Sequence, residues 1–211
     1  MKYHYLINER WFNMAINDKF NNTKTQFIYK SGLLSNYVAY RLDNNQNIKR
    51  YLTYYTINPL GSKGLTKDNK IINQPDIEDS LIDSLIYDGM FNEYMEELHH
   101  CQIYIHTYKG KVDNEWATIY IAINILVPKV FEKLANFGEK RSFAIASEIE
   151  DMFQDICIAK DTAEDYMINK LGNLKFEVTQ FENSRLSKTN NIVVNTIILR
   201  TGVSTRRVGD N

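Results

Sequence analysis

The stretch from Trp116 to Val127 constrains the fold more than any other part of this 211-residue chain. Ala117, Ile119, Ile121, Ile123, Ile125 and Val127 alternate with Trp116, Thr118, Tyr120, Ala122, Asn124 and Leu126, and Pro128 follows. Successive side chains of a strand point to opposite faces, so this period of two places a continuous β-branched row against a core. The opposite row is mixed, which suits either solvent or an interface. Pro128 lacks a donor for the ladder and is expected to end the strand.

Three further strands are expected around it. Gln102 to Tyr108 alternates Ile103, Ile105 and Thr107 against Tyr104, His106 and Tyr108, and Lys109-Gly110 reads as a turn. Leu174, Phe176 and Val178 mark a third strand, and Asn190-Asn191 opens a fourth from Ile192 to Thr201. Helical spacing appears twice. Asp76 is a candidate N-cap, with Ile77, Leu81, Ile82, Leu85 and Ile86 recurring toward Leu98 and Gly89 as a weak point. Gly138 precedes a second helix, Glu139 to about Ile158, striped by Ile145, Ile149, Met152, Phe153 and Ile156. The order helix-strand-strand-helix-strand-strand predicts an α+β fold with a mostly antiparallel four-stranded sheet and helices packed on one face.

Ahead of this core, residues 1–75 read as an elaboration: a helix from Tyr5 to Phe20, an extended Thr25 to Tyr29, then two β-rich runs around Asp43-Asn44-Asn45. Asn and Asp tolerate the left-handed backbone of a tight hairpin. Tyr37 and Tyr40 with Tyr51, Tyr54 and Tyr55 would then form an aromatic β-arm needing a surface to pack on. The Pro- and Gly-containing run from Asn58 to Pro75 reads as the linker. Residues 76–201 form the core and 202–211 a flexible tail.

Composition excludes several classes. The formal net charge of -1 gives no global pull toward nucleic acid or anionic lipid. Two cysteines, Cys101 and Cys157, make no disulfide framework, and a reduced intracellular setting is the simpler reading. The first residues lack the basic end and apolar run of a signal peptide, and no apolar stretch reaches membrane-spanning length, so a soluble chain is expected. Tyr occurs 14 times, a type enriched at interfaces, although AT-rich coding also favours it.

Little in the sequence points to chemistry. His99, His100, Cys101 and His106 resemble metal ligands in type, but adjacent histidines and an alternating strand do not converge them on one point. A helix C-terminal histidine is the simpler reading. Cys101 or Cys157 would need a nearby base in a cleft for nucleophilic catalysis, Cys157 follows the apolar helix stripe and reads as buried and inert, and no phosphate-binding loop or nucleophile elbow occurs. The acidic runs Glu96-Glu97 and Glu148, Glu150, Asp151 read as solvated helix faces. Arg141, Arg200, Arg206 and Arg207 are candidate contacts to a neighbour's acidic groups or to DNA phosphates. The expectation is no catalytic residue, no metal and no cofactor.

The segments IYIAINILVPKVF, EKRSFAIASEIEDMFQD, GNLKFEVTQFENS and NNIVVNTIIL form a layout that resembles the tail-terminator and head–tail connector proteins of tailed bacteriophages, with a further likeness to connector rings of crAss-like phages. The likeness covers roughly Ile103 to Thr201. It implies a structural virion protein, in six or twelve copies, that seals or adapts the portal–tail junction through which DNA passes. Portal, adaptor or tail proteins would be its partners, with DNA near the lumen and no membrane. Tyr37, Tyr40, Tyr51, Tyr54, Tyr55, Trp116, Tyr120, Arg141, Arg200, Arg206 and Arg207 are the expected interface residues. Two alternatives stand beside it: a small phage-encoded module that inhibits or adapts a host protein, and a metal-dependent hydrolase built on His99, His100 and His106.

Overall fold

A computed structural model describes residues 23–61, 75–78, 80–112, 116–135, 138–154, 157–158, 174–186 and 191–204. At its centre lies β3, Trp116–Pro128, paired antiparallel along its whole length with β6, Ile192–Ser204, and on its other side with β2, Gln102–Val112. β5, Leu174–Leu186, joins β6 antiparallel. These are the four long strands that the alternation predicts. Two short strands complete a six-stranded mixed sheet of order β1-β2-β3-β6-β5-β4. β1, Ile86–Asp88, runs parallel to β2, and β4, Cys157–Ile158, runs antiparallel to β5.

The inward row of β3 is as expected: Ala117, Ile119, Ile121, Ile123, Ile125 and Val127 are all essentially inaccessible. Helices α1 (Thr23–Asp43), α2 (Gln46–Thr53) and α3 (Arg141–Phe153) share one buried apolar cluster with that face. Tyr37 of α1 stacks on Phe176 at 6.1 Å between ring centres, and Phe153 of α3 meets Phe176 edge-on at 5.3 Å. Residues on both sides of position 75 therefore contribute to a single core, and the boundary there separates no second one.

The tyrosine-rich β-arm is corrected to a helix pair. Leu34, Tyr37, Val38 and Leu42 are buried on one side of α1, a spacing of three and four that serves a helix. Thr25 to Tyr29, expected extended, lies inside α1. The Asp43-Asn44-Asn45 signal marks a turn between helices: the Asn45 side chain accepts from the Ile48 N–H at 3.0 Å as the N-cap of α2. Asn suits a cap as well as a hairpin, and burial decides between them. The helix expected at Tyr5 to Phe20 and most of the Asn58–Pro75 linker lie outside the described residues; Asn58 to Gly61 forms a turn with Gly61 at φ 115°.

The helix expected from Ile77 to Leu98 does not form. Asp43 holds this segment against the end of α1, its carboxylate accepting from the Leu81 N–H at 2.6 Å and the Ser80 hydroxyl at 2.9 Å. Asp76 caps nothing and pairs with Arg50 at 2.5 Å. Asp83 and Gly89 take positive φ, 69° and 138°, which a right-handed helix cannot include. Ile86 instead pairs beside Ile103.

The other boundaries shift modestly. α3 is shorter than expected, ending at Phe153, and β6 takes in Gly202 to Ser204 from the supposed tail. β2 passes through Lys109-Gly110 without turning. A Cβ on Gly110 would lie 2.7 Å from the Tyr120 ring and 3.1 Å from the Thr118 carbonyl oxygen, so glycine permits close approach there, not a turn.

Two inward positions of β6 are polar, Asn195 and Thr201, and both are buried with side-chain polar atoms lacking a hydrogen-bond partner. Asn195 is fully buried on β6, level with Ile125, and neither atom of its amide has a hydrogen-bond partner. Unpaired buried amides cost about 1–3 kcal/mol. Asn195→Val, which also suits a strand, is expected to raise the unfolding free energy by about 1–2 kcal/mol in urea titration. A decrease would show that the amide has a partner in solution.

Candidate assembly interface

The outer face of the sheet is covered at one end and open at the other. Phe91, Met95 and Leu98, from the irregular chain after β1, pack with Tyr104 on Leu126, Ile192 and Val194. Leu126 is thereby buried on the face that the sequence left mixed, and Ala122 and Asn124 of the same row are buried as well. Beyond them the face opens. Tyr108 and Tyr120 stand opposite each other on β2 and β3 and stack at 5.3 Å, and Trp116 at the strand start is 57% exposed. Tyr87 stacks on Tyr104 at 4.9 Å, and His106 sits 6.1 Å from Tyr108, so a band of rings runs across the outer face.

Polar groups complete the band. Thr196 donates to the Asn124 side chain at 2.8 Å, and the Asn124 amide lies 3.4 Å from His106 Nδ1. Burial holds the His106 pKa below its ordinary value, against the opposing pull of Asp88. Arg200, directly across from Tyr120, pairs with Glu177 of β5. Trp116, Tyr120 and Arg200 of the expected set therefore share this surface. The sequence reading passed over Tyr104, His106 and Tyr108 as interface residues, although their alternation with Ile103, Ile105 and Thr107 was the signal that could have named them.

The tyrosines of the supposed arm are dispersed. Tyr37 and Tyr51 are buried in the core and unavailable to a partner, whereas Tyr40 is 46% exposed on α1. Tyr54 is half-buried and donates to the Pro75 carbonyl at 3.2 Å. Tyr55 stacks on Phe131 at 4.5 Å and bonds His100 Nδ1 at 2.9 Å. Burial pushes the Tyr51 and Tyr55 hydroxyls up to about 12. Arg206 and Arg207 lie outside the described residues.

Arg141 is a correction of a different kind. Its guanidinium is fully buried and donates to four carbonyls: Phe131 at 2.9 Å, Tyr51 at 2.7 Å, Tyr54 at 2.9 Å and Thr56 at 2.6 Å. It sits at the N-terminus of α3, where a cation opposes the dipole, yet it is aimed at the C-terminal carbonyls of α2, where a cation is favoured. Glu132 supplies the matching anion for α3, accepting from the Ser142 N–H at 3.1 Å and from its hydroxyl. Burial raises the Glu132 pKa and lowers that of Arg141. Arg141 joins α2 to α3 within the protomer, and its buried guanidinium offers nothing to a neighbour.

The histidines and Cys101 do not converge. Cys101 is buried on the core side, its thiol pushed up to about 12 by burial, while His106 is on the outer face. His99 is exposed, 3.6 Å from Glu97, and no helix ends beside it. Among the described residues no group of three or more His, Cys, Asp or Glu is placed to hold a metal ion. No helix among them is long and apolar enough to cross a membrane.

These features define an α+β protein whose sheet is packed on one side by helices and left partly open, with aromatic residues, on the other. The chain belongs to the YomW family, whose profile matches residues 45–190, a span that begins at the α2 N-cap and takes in β1 to β5. No curated protein matches it. Among solved structures, a chain from the virion of a native gene transfer agent particle aligns at 13% identity over 57% of this chain and 79% of its own, with a TM-score of 0.37, too low to carry an argument.

Proposed function

We propose that this chain is a structural protein of a tailed-phage virion that assembles into a ring at the head–tail connector and has no catalytic activity of its own. What supports this is the open half of the outer sheet face, where Trp116, Tyr108 and Tyr120 remain accessible although the chain covers the other half of the same face itself. Exposed aromatic side chains on a strand-supported surface are the composition of an interface core, not of solvated surface. The layout of β3, α3, β5 and β6 that resembles connector and tail-terminator proteins is preserved in the fold. In this role the protein binds its own copies and portal, adaptor or tail proteins, with DNA passing through the lumen.

Mass photometry and negative-stain imaging of the full chain test this, alone and mixed with portal and tail proteins. Rings of one defined size, six or twelve copies, are expected. A strict monomer that also ignores those proteins would overturn the proposal, and tight capture of one host protein by such a monomer would favour the host-directed binding module instead.

A further inference from the structure

The open half of the outer face carries a notch. Gly202 lies directly across from Thr118, and the two line it together with Lys175, Glu177 and Arg200. A Cβ on Gly202 would meet no atom within 4 Å, so the space above it is open. Trp116 and Tyr120 flank Thr118 in the same row of β3, and Arg200, held by Glu177, is level with Tyr120. Aromatic rings beside a guanidinium favour a further aromatic ring, through offset stacking and cation–π contact.

The end of the sheet that bears the notch is also the end from which α1 comes. Asp43, at the C-terminal end of α1, is tied to Leu81 beside Ile86, and so is level with Ile125. Ser35 donates to Asp88 at 2.6 Å, level with Ile123. Lys30 donates to the Ser204 carbonyl, level with Trp116. Traced backwards, α1 therefore climbs toward the Trp116 end, and Thr23–Tyr29 carry it roughly 10 Å further. Residues 1–22 precede it. Among them Leu6, Trp11, Met14 and Ala15 fall on one side of the helix expected from Tyr5 to Phe20, and Trp11 is the chain's only tryptophan besides Trp116.

This segment starts on the helix side of the sheet, because α1 shares the core of the inward face. The sheet itself stands between that side and the chain's own outer face. In a ring built front to back, the helix layer of one copy meets the outer face of the next. Such a contact uses two different patches per subunit, the heterologous kind that closes into rings. With the ring axis near the strand direction, equivalent ends stay level, and the segment starts beside the neighbour's notch.

We propose that residues 5–20 of one copy dock on the open outer face of the next, with Trp11 over the Gly202 notch; this rests on the ring reading above. The first test fills the notch. Gly202→Tyr puts a ring into open space on a strand, where aromatic residues are favoured, so the far-UV spectrum and cooperative melt are expected to be retained. Gly202→Tyr and Trp11→Ala are each expected to raise the concentration needed for rings in mass photometry roughly 30-fold. Should Gly202→Tyr unfold, Trp11→Ala and the second test decide. That test mixes Ala15→Cys with Thr118→Cys, assembles the mixture and treats it with a short bismaleimide. A cross-linked dimer that neither variant gives alone is expected, and the double variant is expected to give a ladder of species up to the ring. Cross-linking confined to single chains in the double variant would overturn the proposal and show that the segment covers its own face. Parental ring yield from a folded variant of either kind, or rings without the mixed cross-link, would overturn it while leaving the ring reading intact. A parent chain that never assembles, even with portal and tail proteins, would overturn both.

Discussion

Replacing Arg141 by methionine is expected to lower the unfolding free energy by about 3–5 kcal/mol, enough to remove much of a typical domain's stability. Methionine fills similar space, so the loss reports the hydrogen bonds more than a cavity. Four carbonyls lose their donor at once, and three of them lie at and just beyond the C-terminal end of α2, where the main chain has no further helical partner. The Glu132 carboxylate would also lose one of its two nearby cations, with Lys140 remaining. Against this stands the relief of no longer desolvating a guanidinium, which is why the expected loss is below the sum of the individual bonds. Arg141→Lys retains the charge but not the planar fork, and is expected to recover less than half of the loss. Urea unfolding followed by far-UV circular dichroism measures both variants. A loss below about 1 kcal/mol for the methionine variant would show that water replaces the guanidinium.

The second large effect is at Phe176. This ring is fully buried between Tyr37 and Phe153, and truncating a core phenylalanine typically costs about 3–5 kcal/mol. Phe176→Ala is expected to fall in that range. The partner substitution makes the test specific to the N-terminal helix. If Tyr37 of α1 packs on Phe176, then Tyr37→Ala and Phe176→Ala together cost less than the sum of the two by about 0.5–1.5 kcal/mol. Strict additivity would mean that α1 does not rest on the sheet in solution. That outcome would return residues before 75 to the status of an appendage.

Positions 37 to 55 show why local sequence was insufficient. Tyr, Val, Ile and Thr favour strands on intrinsic grounds, and Asp43-Asn44-Asn45 is a good turn for two strands or two helices alike. Leu34, Tyr37, Val38 and Leu42 do recur at helical spacing, but the same stretch is rich in residues that favour strands. Residues 77 to 98 failed the opposite way. Their apolar spacing fits a helix, yet Asp43, distant in sequence, captures the Leu81 N–H, and Ile86 gains a strand partner in β2. Propensity is worth a few tenths of a kcal/mol per residue, and such contacts override it easily.

The site followed the same division. The shared face of Trp116 and Tyr120 was legible because strand alternation states which face each side chain takes, whereas Arg200 was named only as a cation near the end of the chain. The place of Arg141 was not legible, since nothing near it in sequence reveals that the carbonyls of residues 51, 54 and 56 surround it.

What the sequence determined by itself is the frame: four long strands, the inward row of β3 and the amphipathic α3, all written in periodicities that depend only on neighbours two to four residues apart. What tertiary structure alone decided is which segments close that frame. The helical state of the tyrosine-rich segment, the irregular path after residue 76, the covered half of the outer face and the burial of Arg141 each depend on hydrogen bonds or packing between residues tens of positions apart. A periodicity cannot encode such contacts. The outer row of β3 shows both at once: its mixed character was read directly, but only the packing of Phe91, Met95 and Leu98 determines that one end is core and the other, with Trp116, is open.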